Sequence, residues 1–479
     1  MAGILAARLP VPLSGGMLML TVLGAAILVE PVLGIILMLG VAPLKTLIDT
    51  EAPFALPIDA GQMGFGLVLG AWAIWRVLHH RGEPLPRTRV MLPLIGCMLA
   101  FSPSLYHAVS TSAWIAEFLK WVEMALLVVV VLDLGRAGRW TWIVLGAVLA
   151  AVLQALIGVY EFRGGSGAPH LWIAGYRYFR AFGTFGQPNP FSAYMGLTLP
   201  LACGMAWGHL TAAAARWLRR GDSPARMWWK PGLLAVMYGG FALVLLAGLI
   251  AAWGRGAWLG FGAASVVMVF FAPRRRWQGV LLMGCAAVLP AGLWFVGAVP
   301  ATIQQRVNNA VTEFIGFRDV RGAPISNENF AIVERLAHWQ AAIEMANAQP
   351  WIGVGLGNFE AVYPEYGVPS WPRPLGHAHN DYLNLLAETG LIGLLGYLIS
   401  WLALGMWTVQ ALQQPDPIKR GLVLGLLGTW THLAVHSFVD KLYVNNLFLH
   451  IGVMLGLLAI VYEYRQALVG NKISEYDDL

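Results

Sequence analysis

Residues 374–397 read PLGHAHNDYLNLLAETGLIGLLGY and join a polar segment to an apolar helix. Asn380 and Asp381 are good N-cap residues, so we predict that the helix begins there. The unpaired N–H groups of a helix start favour anionic ligands. His379 lies beside this start, and a histidine can exchange protons near neutral pH. The stretch therefore predicts a reactive histidine where a water-exposed loop meets a membrane span.

The composition is that of a membrane protein. The chain has 479 residues, of which 58% are hydrophobic and 12% charged, and its mean hydropathy is +0.64. A soluble globular chain carries about twice that charged fraction. The net charge of +6 does not indicate nucleic-acid binding, because most lysines and arginines lie in short loops, where positive charge sets topology. Cys97, Cys203 and Cys285 lie inside apolar runs without metal-site spacing.

Apolar runs of about twenty residues mark the transmembrane helices. We predict an all-α polytopic membrane protein with about twelve transmembrane helices and a large helical loop outside the cytoplasm. The predicted spans are 15–48, 62–79, 90–108, 113–134, 140–160, 189–209, 232–253, 257–272, 279–297, 384–411, 421–438 and 446–463. Glu30 and Pro31 interrupt the first run, so it contains either two spans or one span with a broken piece.

Charge in the loops gives the predicted orientation. The loops rich in arginine and lysine fall on one side in this span list, and the positive-inside rule makes that side cytoplasmic. The chain then divides into residues 1–297 with about nine spans, a large periplasmic loop at 298–383, residues 384–463 with about three spans, and a cytoplasmic tail at 464–479.

The large loop is long enough for two helices but too short for an ordinary independent domain. Residues 302–315 form one predicted helix. The second runs over 327–348, with apolar residues at helical spacing, and Pro350 ends it. A tight turn is predicted at the next three glycines, Gly353, Gly355 and Gly357.

Three arginines on the predicted outer side are candidate ligands of an anion. Arg255 lies between two apolar runs with almost no loop, so it either binds an anion or an acid, or extends to lipid head groups. Arg180 precedes a run of glycines and prolines that either presents N–H groups to an anion or is an ordinary turn. Arg335 lies on the loop helix, where a solvated or ion-paired position is the alternative.

His379 is the candidate base, and a hydrogen-bonded boundary histidine is the alternative. His377 is a weaker candidate two residues earlier. Glu388, a few turns into the helix, either orients a base or makes a structural contact between helices. Asp440 and Lys441 are interpreted as an interface ion pair.

Motifs that would indicate several other classes of enzyme are absent from the sequence. The sequence has no Walker-type phosphate loop, no dinucleotide fingerprint, no zinc-type cysteine and histidine spacing, and no Asp-x-Asp pair in an outer loop. Several outer arginines with one histidine instead favour handling of a phosphate or pyrophosphate group without a metal, because arginine binds such oxygens in bidentate fashion. We therefore expect no metal and no cofactor.

The residues around His379 resemble a family signature. The pattern is His379-Asn380-Asp381-Tyr382-Leu383, followed by Glu388-Thr389-Gly390 and Gly393. It is similar to the signature of the O-antigen ligase and O-antigen polymerase superfamily. The runs around Arg180, Arg255 and Arg335 resemble the arginine-bearing segments of the same superfamily, so the similarity covers roughly residues 175–400.

The resemblance implies a membrane glycosyltransferase of the C-type architecture, without a metal or a nucleotide. The donor would be a glycan on undecaprenyl pyrophosphate. His379 would be the base and the matching arginines would hold the pyrophosphate. The protein would be a multi-pass protein of the bacterial inner membrane with its active site on the periplasmic face.

The acceptor remains open. We expect an O-antigen ligase that transfers the glycan to lipid A–core oligosaccharide; the alternatives are an O-antigen polymerase and a protein O-oligosaccharyltransferase. A small-anion transporter of the bicarbonate type is an alternative of another class. It predicts charges in the middle of the spans, whereas here most charges gather at the outer boundary, apart from a few such as Lys120 and Glu123. A structural membrane subunit would leave the arginines and the histidine unexplained.

Overall fold

The computed structural model describes most of the chain. The described residues are 22–51, 59–165, 171–173, 177–218, 229–299, 301, 304–305, 319–322 and 330–469. The predicted helix over 302–315 lies almost wholly outside the described residues.

The described chain is almost entirely helical, which confirms the predicted fold class. Its helices are α1 (22–29), α2 (Val32–Val41), α3 (Lys45–Glu51), α4 (Ala60–His79), α5 (Met91–Phe101), α6 (Thr111–Leu134), α7 (Trp140–Tyr160), α8 (Pro188–Leu218), α9 (Trp229–Ala251), α10 (Arg255–Phe271), α11 (Arg276–Phe295), α12 (Phe330–Ala348), α13 (Phe359–Tyr366), α14 (Asp381–Ala411), α15 (Pro417–His436) and α16 (Leu447–Val469). Among the described residues, the strands are β1 (Trp172–Ile173) and β2 (Tyr178–Phe179), which pair antiparallel.

Helices occupy most of the described part of each predicted span. Six helical segments of the described chain are long and apolar enough to cross a membrane, and two shorter apolar helices accompany them. The count of about twelve spans stays a prediction. The break expected at Glu30 and Pro31 is present, because helix α1 ends before Glu30 and α2 begins after Pro31.

Helices α8 and α15 pack with their backbones in contact. A Cβ atom at Gly204 would meet backbone atoms of Gly421 and Gly425, and one at Gly208 would meet the carbonyl oxygen of Pro417. Small residues let membrane helices approach this closely and gain van der Waals contact. This seam joins the two helices along the centre of the protein.

The large loop is attached to α14 through backbone hydrogen bonds. Its helix α12 ends at Ala348, close to the predicted end before Pro350. The three glycines that follow all have positive φ, as the predicted tight turn requires: Gly353, Gly355 and Gly357. The amides of Val354 and Gly355 donate to the carbonyls of Ala387 and Glu388 at 3.0 and 2.9 Å.

Helix α14 is interrupted at Gly390, where φ is 62° and ψ is −167°. The helix cannot satisfy the next amides itself, so Leu391 and Ile392 donate to the carbonyls of Pro350 and Trp351 at 2.8 and 3.1 Å. A Cβ atom at residue 390 would collide with the Trp351 backbone, so both the conformation and the space require glycine. The interruption fixes the large loop against the segment that starts α14.

Candidate functional site

His379 lies immediately before α14 in an uncommon backbone conformation. Its φ is 52°, the left-handed region that few residues other than glycine adopt. Its amide donates to Nδ1 of His377 at 3.1 Å, and the Asn380 side chain caps α14 by accepting from the Leu383 amide at 3.0 Å. Asn380 is therefore the N-cap that its residue type predicts. Burial, followed by the charge of His379, lowers the pKa of His377 to about 3, so His377 is neutral at physiological pH.

Asp440 faces His379 from the segment between α15 and α16. Its Oδ1 lies 3.5 Å from His379 Nδ1, and both side chains are largely buried. Burial opposes ionisation of this carboxyl group, yet the neighbouring imidazole of His379 holds the pKa of Asp440 well below its usual range. A carboxylate at one ring nitrogen leaves Nε2, the other, as the position for proton exchange.

Asp381, the first residue of α14, is hydrogen-bonded to the segment that carries Asp440. The Asp381 amide donates to the Ser437 carbonyl at 2.8 Å, and Asp381 Oδ2 accepts from Ser437 Oγ at 3.0 Å and from the Leu442 amide at 3.1 Å. These bonds hold the chain on both sides of Asp440. The residue that begins α14 thus connects His379 to the segment of its acidic partner.

The expected ion pair between Asp440 and Lys441 is wrong. Lys441 Nζ instead lies 3.1 Å from Glu117 Oε1 on α6, and Glu117 also binds Lys120 at 2.5 Å. Neighbouring side chains in an extended segment point in different directions, so Asp440 faces His379 while Lys441 faces α6. The cluster of Glu117, Lys120 and Lys441 fixes this segment to the helical bundle.

Arg180 comes from the β2–α8 connection and lies close to the other two candidate arginines. Its Nε donates to the Ala252 carbonyl at 3.1 Å and its Nη2 to Asn189 Oδ1 at 3.2 Å. Burial, followed by the charges of Arg335 and Arg255, lowers the pKa of Arg180 to about 10. A bound anion would offset this concentration of positive charge.

Arg255 is the first residue of α10, and tight packing surrounds it. A Cβ atom at Gly254 would meet the side chain of Ser192, and one at Gly256 would meet those of Val439 and His436. Protein side chains therefore approach the backbone closely at both glycines that flank Arg255. It holds Arg255 near the segment that carries Asp440.

Helix α12 of the large loop contributes Arg335 and His338. Arg335 Nε is buried without a hydrogen-bond partner among the described residues. The buried His338 ring meets that of His379 edge to face, with centroids 5.7 Å apart, and His338 Nδ1 bonds to the Glu334 carbonyl at 2.7 Å. Burial lowers the pKa of His338, so its ring is neutral. The sequence motifs did not indicate His338.

Glu388 is buried but has a different set of neighbours. Its Oε1 accepts from the Phe359 amide at 3.2 Å, so the side chain supports the chain that follows the glycine turn. Arg321, another arginine on the predicted outer side, binds Glu344 at 3.2 Å on the exposed surface of the loop. The structure thus groups Arg180, Arg255 and Arg335 with His379, and gives Glu388 a role in holding the loop.

The donors of His377, His379 and Asp440 lie within 4.8 Å of one another, close enough to hold a metal ion by donor type and distance. The charges of Arg180, Arg255 and Arg335 act on the same region. That positive field opposes a cation and favours an anion beside His379. The arrangement combines a histidine–carboxylate pair with guanidinium groups, which suits proton removal next to an anionic leaving group.

Residues 240–398 match the family described as O-antigen ligase. The match covers about a third of the chain, including Arg255, Arg335 and His379. It confirms the resemblance to the O-antigen ligase and polymerase superfamily that the sequence motifs indicated. A search of curated proteins gave no match.

Proposed function

Because residues 240–398 carry an O-antigen ligase domain in a multi-pass helical protein, we propose that the chain is an O-antigen ligase-type glycosyltransferase. It transfers a glycan from undecaprenyl pyrophosphate to an acceptor hydroxyl, with lipid A–core oligosaccharide as the preferred acceptor. The reaction takes place at the periplasmic face of the bacterial inner membrane. The observation that carries the proposal is the pairing of His379 with Asp440 in the field of three arginines.

In the proposed reaction, His379 Nε2 takes the proton from the acceptor hydroxyl. The acceptor oxygen forms the new bond to the anomeric carbon while the bond to the pyrophosphate oxygen breaks, with inversion at that carbon. Asp440 stabilises the imidazolium that forms, and positioned proton transfer contributes about 10²–10⁴ in rate.

The leaving undecaprenyl pyrophosphate gains negative charge, which the guanidinium groups of Arg180, Arg255 and Arg335 stabilise. Arginine suits this role because its planar fork binds two phosphate oxygens at once. The preorganised charges act where negative charge develops and replace the neutralisation that a metal would supply. Support comes from the electrostatic influence that these side chains share and from the buried Nε of Arg335, which has no hydrogen-bond partner among the described residues.

Reconstitution of the purified protein with a glycan on undecaprenyl pyrophosphate tests the proposal. Lipid A–core, a second lipid-linked repeat and a serine- or threonine-containing protein are offered as acceptors in separate reactions. Glycosylation of lipid A–core identifies a ligase, and glycosylation of either other acceptor identifies the corresponding alternative. Absence of transfer to all three, from an intact donor, would contradict the proposed activity.

His379→Asn tests the base. Asparagine tolerates the left-handed conformation at residue 379, where alanine would add about 1–2 kcal/mol of strain. We expect transfer to fall by about 10²–10⁴-fold with unchanged folding. The exposed His79 provides the matched control, since His79→Asn is expected to leave transfer unchanged. Full activity of His379→Asn would remove His379 from the mechanism.

A further inference from the structure

A cavity of about 960 Å³ lies between the ends of helices α8, α10 and α15 that are distant from His379. Helix α15 runs from the cavity at Pro417 to the candidate site at His436, and its 20 residues span about 30 Å. The cavity is therefore separate from the candidate site. It opens on the side that the positive-inside rule predicts to be cytoplasmic.

Positive charge dominates the cavity wall. Four basic side chains of the described residues line it: Arg216, Lys230, Arg274 and Arg420. The acidic residue within the described part of the wall is Asp416, whose Oδ1 accepts hydrogen bonds from the amides of Ile418 and Lys419 at 2.7 and 2.8 Å. Because Asp416 caps α15, its carboxylate is already engaged by backbone donors.

Two of the four basic residues hold the cavity wall together. Arg420 donates to the carbonyls of Ala272 and Phe271 at 2.7 and 2.9 Å, which fixes the end of α10 against the start of α15. Arg274 Nη2 donates to the Pro415 carbonyl at 3.3 Å. Hydrogen bonds therefore join the segments of chain that form this part of the wall.

The other two basic residues are exposed at the rim. Arg216 lies near the end of α8, and Lys230 is the second residue of α9. Trp207 lines the cavity, and Trp229 lies beside Lys230, whose Nζ is 6.0 Å from the Trp229 ring centroid. Tryptophan beside lysine and arginine at helix ends is typical of the head-group level of a bilayer.

We propose that this cavity binds a phosphate-bearing anion, the head group of an anionic phospholipid. The volume admits a head group, the rim supplies exposed cations, and basic pockets between transmembrane helices on the cytoplasmic side suit phosphate-bearing head groups. Phosphate oxygens accept charge-assisted hydrogen bonds from arginine and lysine. Such a lipid would bridge helices α8, α9 and α15. This assignment does not depend on the function of His379.

The test is native mass spectrometry of the full-length protein titrated with phosphatidylglycerol and, separately, phosphatidylcholine. Arg216→Gln combined with Lys230→Gln removes the two rim charges. Each such charge contributes about 1 kcal/mol near a membrane surface, so we expect roughly 30-fold weaker binding of phosphatidylglycerol. Arg81→Gln combined with Arg275→Gln removes two exposed charges from the same predicted side without touching the cavity, and should leave binding unchanged.

Equal binding by the two double variants would overturn the proposal. A wild-type protein that binds phosphatidylcholine as well as phosphatidylglycerol would also overturn it. A second arm offers inorganic phosphate in excess: retention of the lipid supports a head-group site, whereas displacement of the lipid would assign the cavity to a soluble anion instead. If the double variant fails to fold, each single variant is expected to bind roughly fivefold more weakly.

Discussion

Replacement of Asp440 by asparagine tests the pairing on which the proposed mechanism depends. Two unit charges 3.5 Å apart attract by about 4.7 kcal/mol at an effective dielectric constant of about 20. The nearby arginines oppose an imidazolium at His379, and asparagine keeps part of the dipole, so the whole attraction will not be lost. We expect the barrier to rise by about 2.7–4 kcal/mol, which is a loss of about 10²–10³ in kcat.

The assay is steady-state transfer from a lipid-pyrophosphate glycan by purified Asp440→Asn protein. The donor KM should change little, because Asp440 acts on the imidazolium that forms during reaction rather than on the bound donor. Asp319→Asn is the matched control, since Asp319 lies in the large loop and binds Arg321 on an exposed surface. Turnover of Asp440→Asn within threefold of wild type, with unchanged thermal unfolding, would refute the pairing argument.

Two further substitutions test the arginine site and the central seam. Arg255→Lys keeps the charge but loses the bidentate fork, so we expect roughly 10–100-fold lower kcat/KM in the same transfer assay. Arg321→Lys is the control. Unchanged kinetics of Arg255→Lys would contradict a role in binding the pyrophosphate. Gly421→Ala places a Cβ against the Gly204 carbonyl oxygen and should lower the free energy of unfolding by about 1–3 kcal/mol in detergent. At Gly405 a Cβ atom meets no described atom within 4 Å outside its own stretch of helix, so Gly405→Ala should not destabilise, and equal unfolding temperatures of the two variants would contradict the packing account.

Much of the architecture follows from local sequence. Apolar runs predicted where most of the long described helices occur, because a bilayer requires long apolar segments with internally satisfied backbones. Pro31 and Pro350 marked helix boundaries through proline's missing N–H. Asn380 marked the start of α14, where its side chain accepts from the Leu383 amide. Each of these signals depends on neighbouring residues in the chain.

The candidate site was predicted only in part, because its pairings join distant parts of the chain. Charge type and the predicted side of the membrane selected Arg180 and Arg255, and the position beside a helix start and the family motif selected His379. Neither indicated that Asp440, rather than Glu388, would face His379. The hydrogen bonds of Asp381 and the different partners of Asp440 and Lys441 depend on how three helices pack together. Residue spacing alone does not encode that packing. The predicted topology supplied one available signal, since Asp440 follows a span that is predicted to end on the outer side.

Because α14 is interrupted at Gly390, the part of the helix that is long enough to cross a bilayer is distinct from the part that positions His379. Residues 391–411 alone extend about 31 Å, enough to cross the hydrocarbon core of a bilayer. The preceding turns are held by hydrogen bonds to residues 350–355 instead of by an unbroken helical ladder. Insertions or deletions after Gly390 could therefore adapt this helix to a thicker or thinner bilayer, while His379 kept its height and orientation above it.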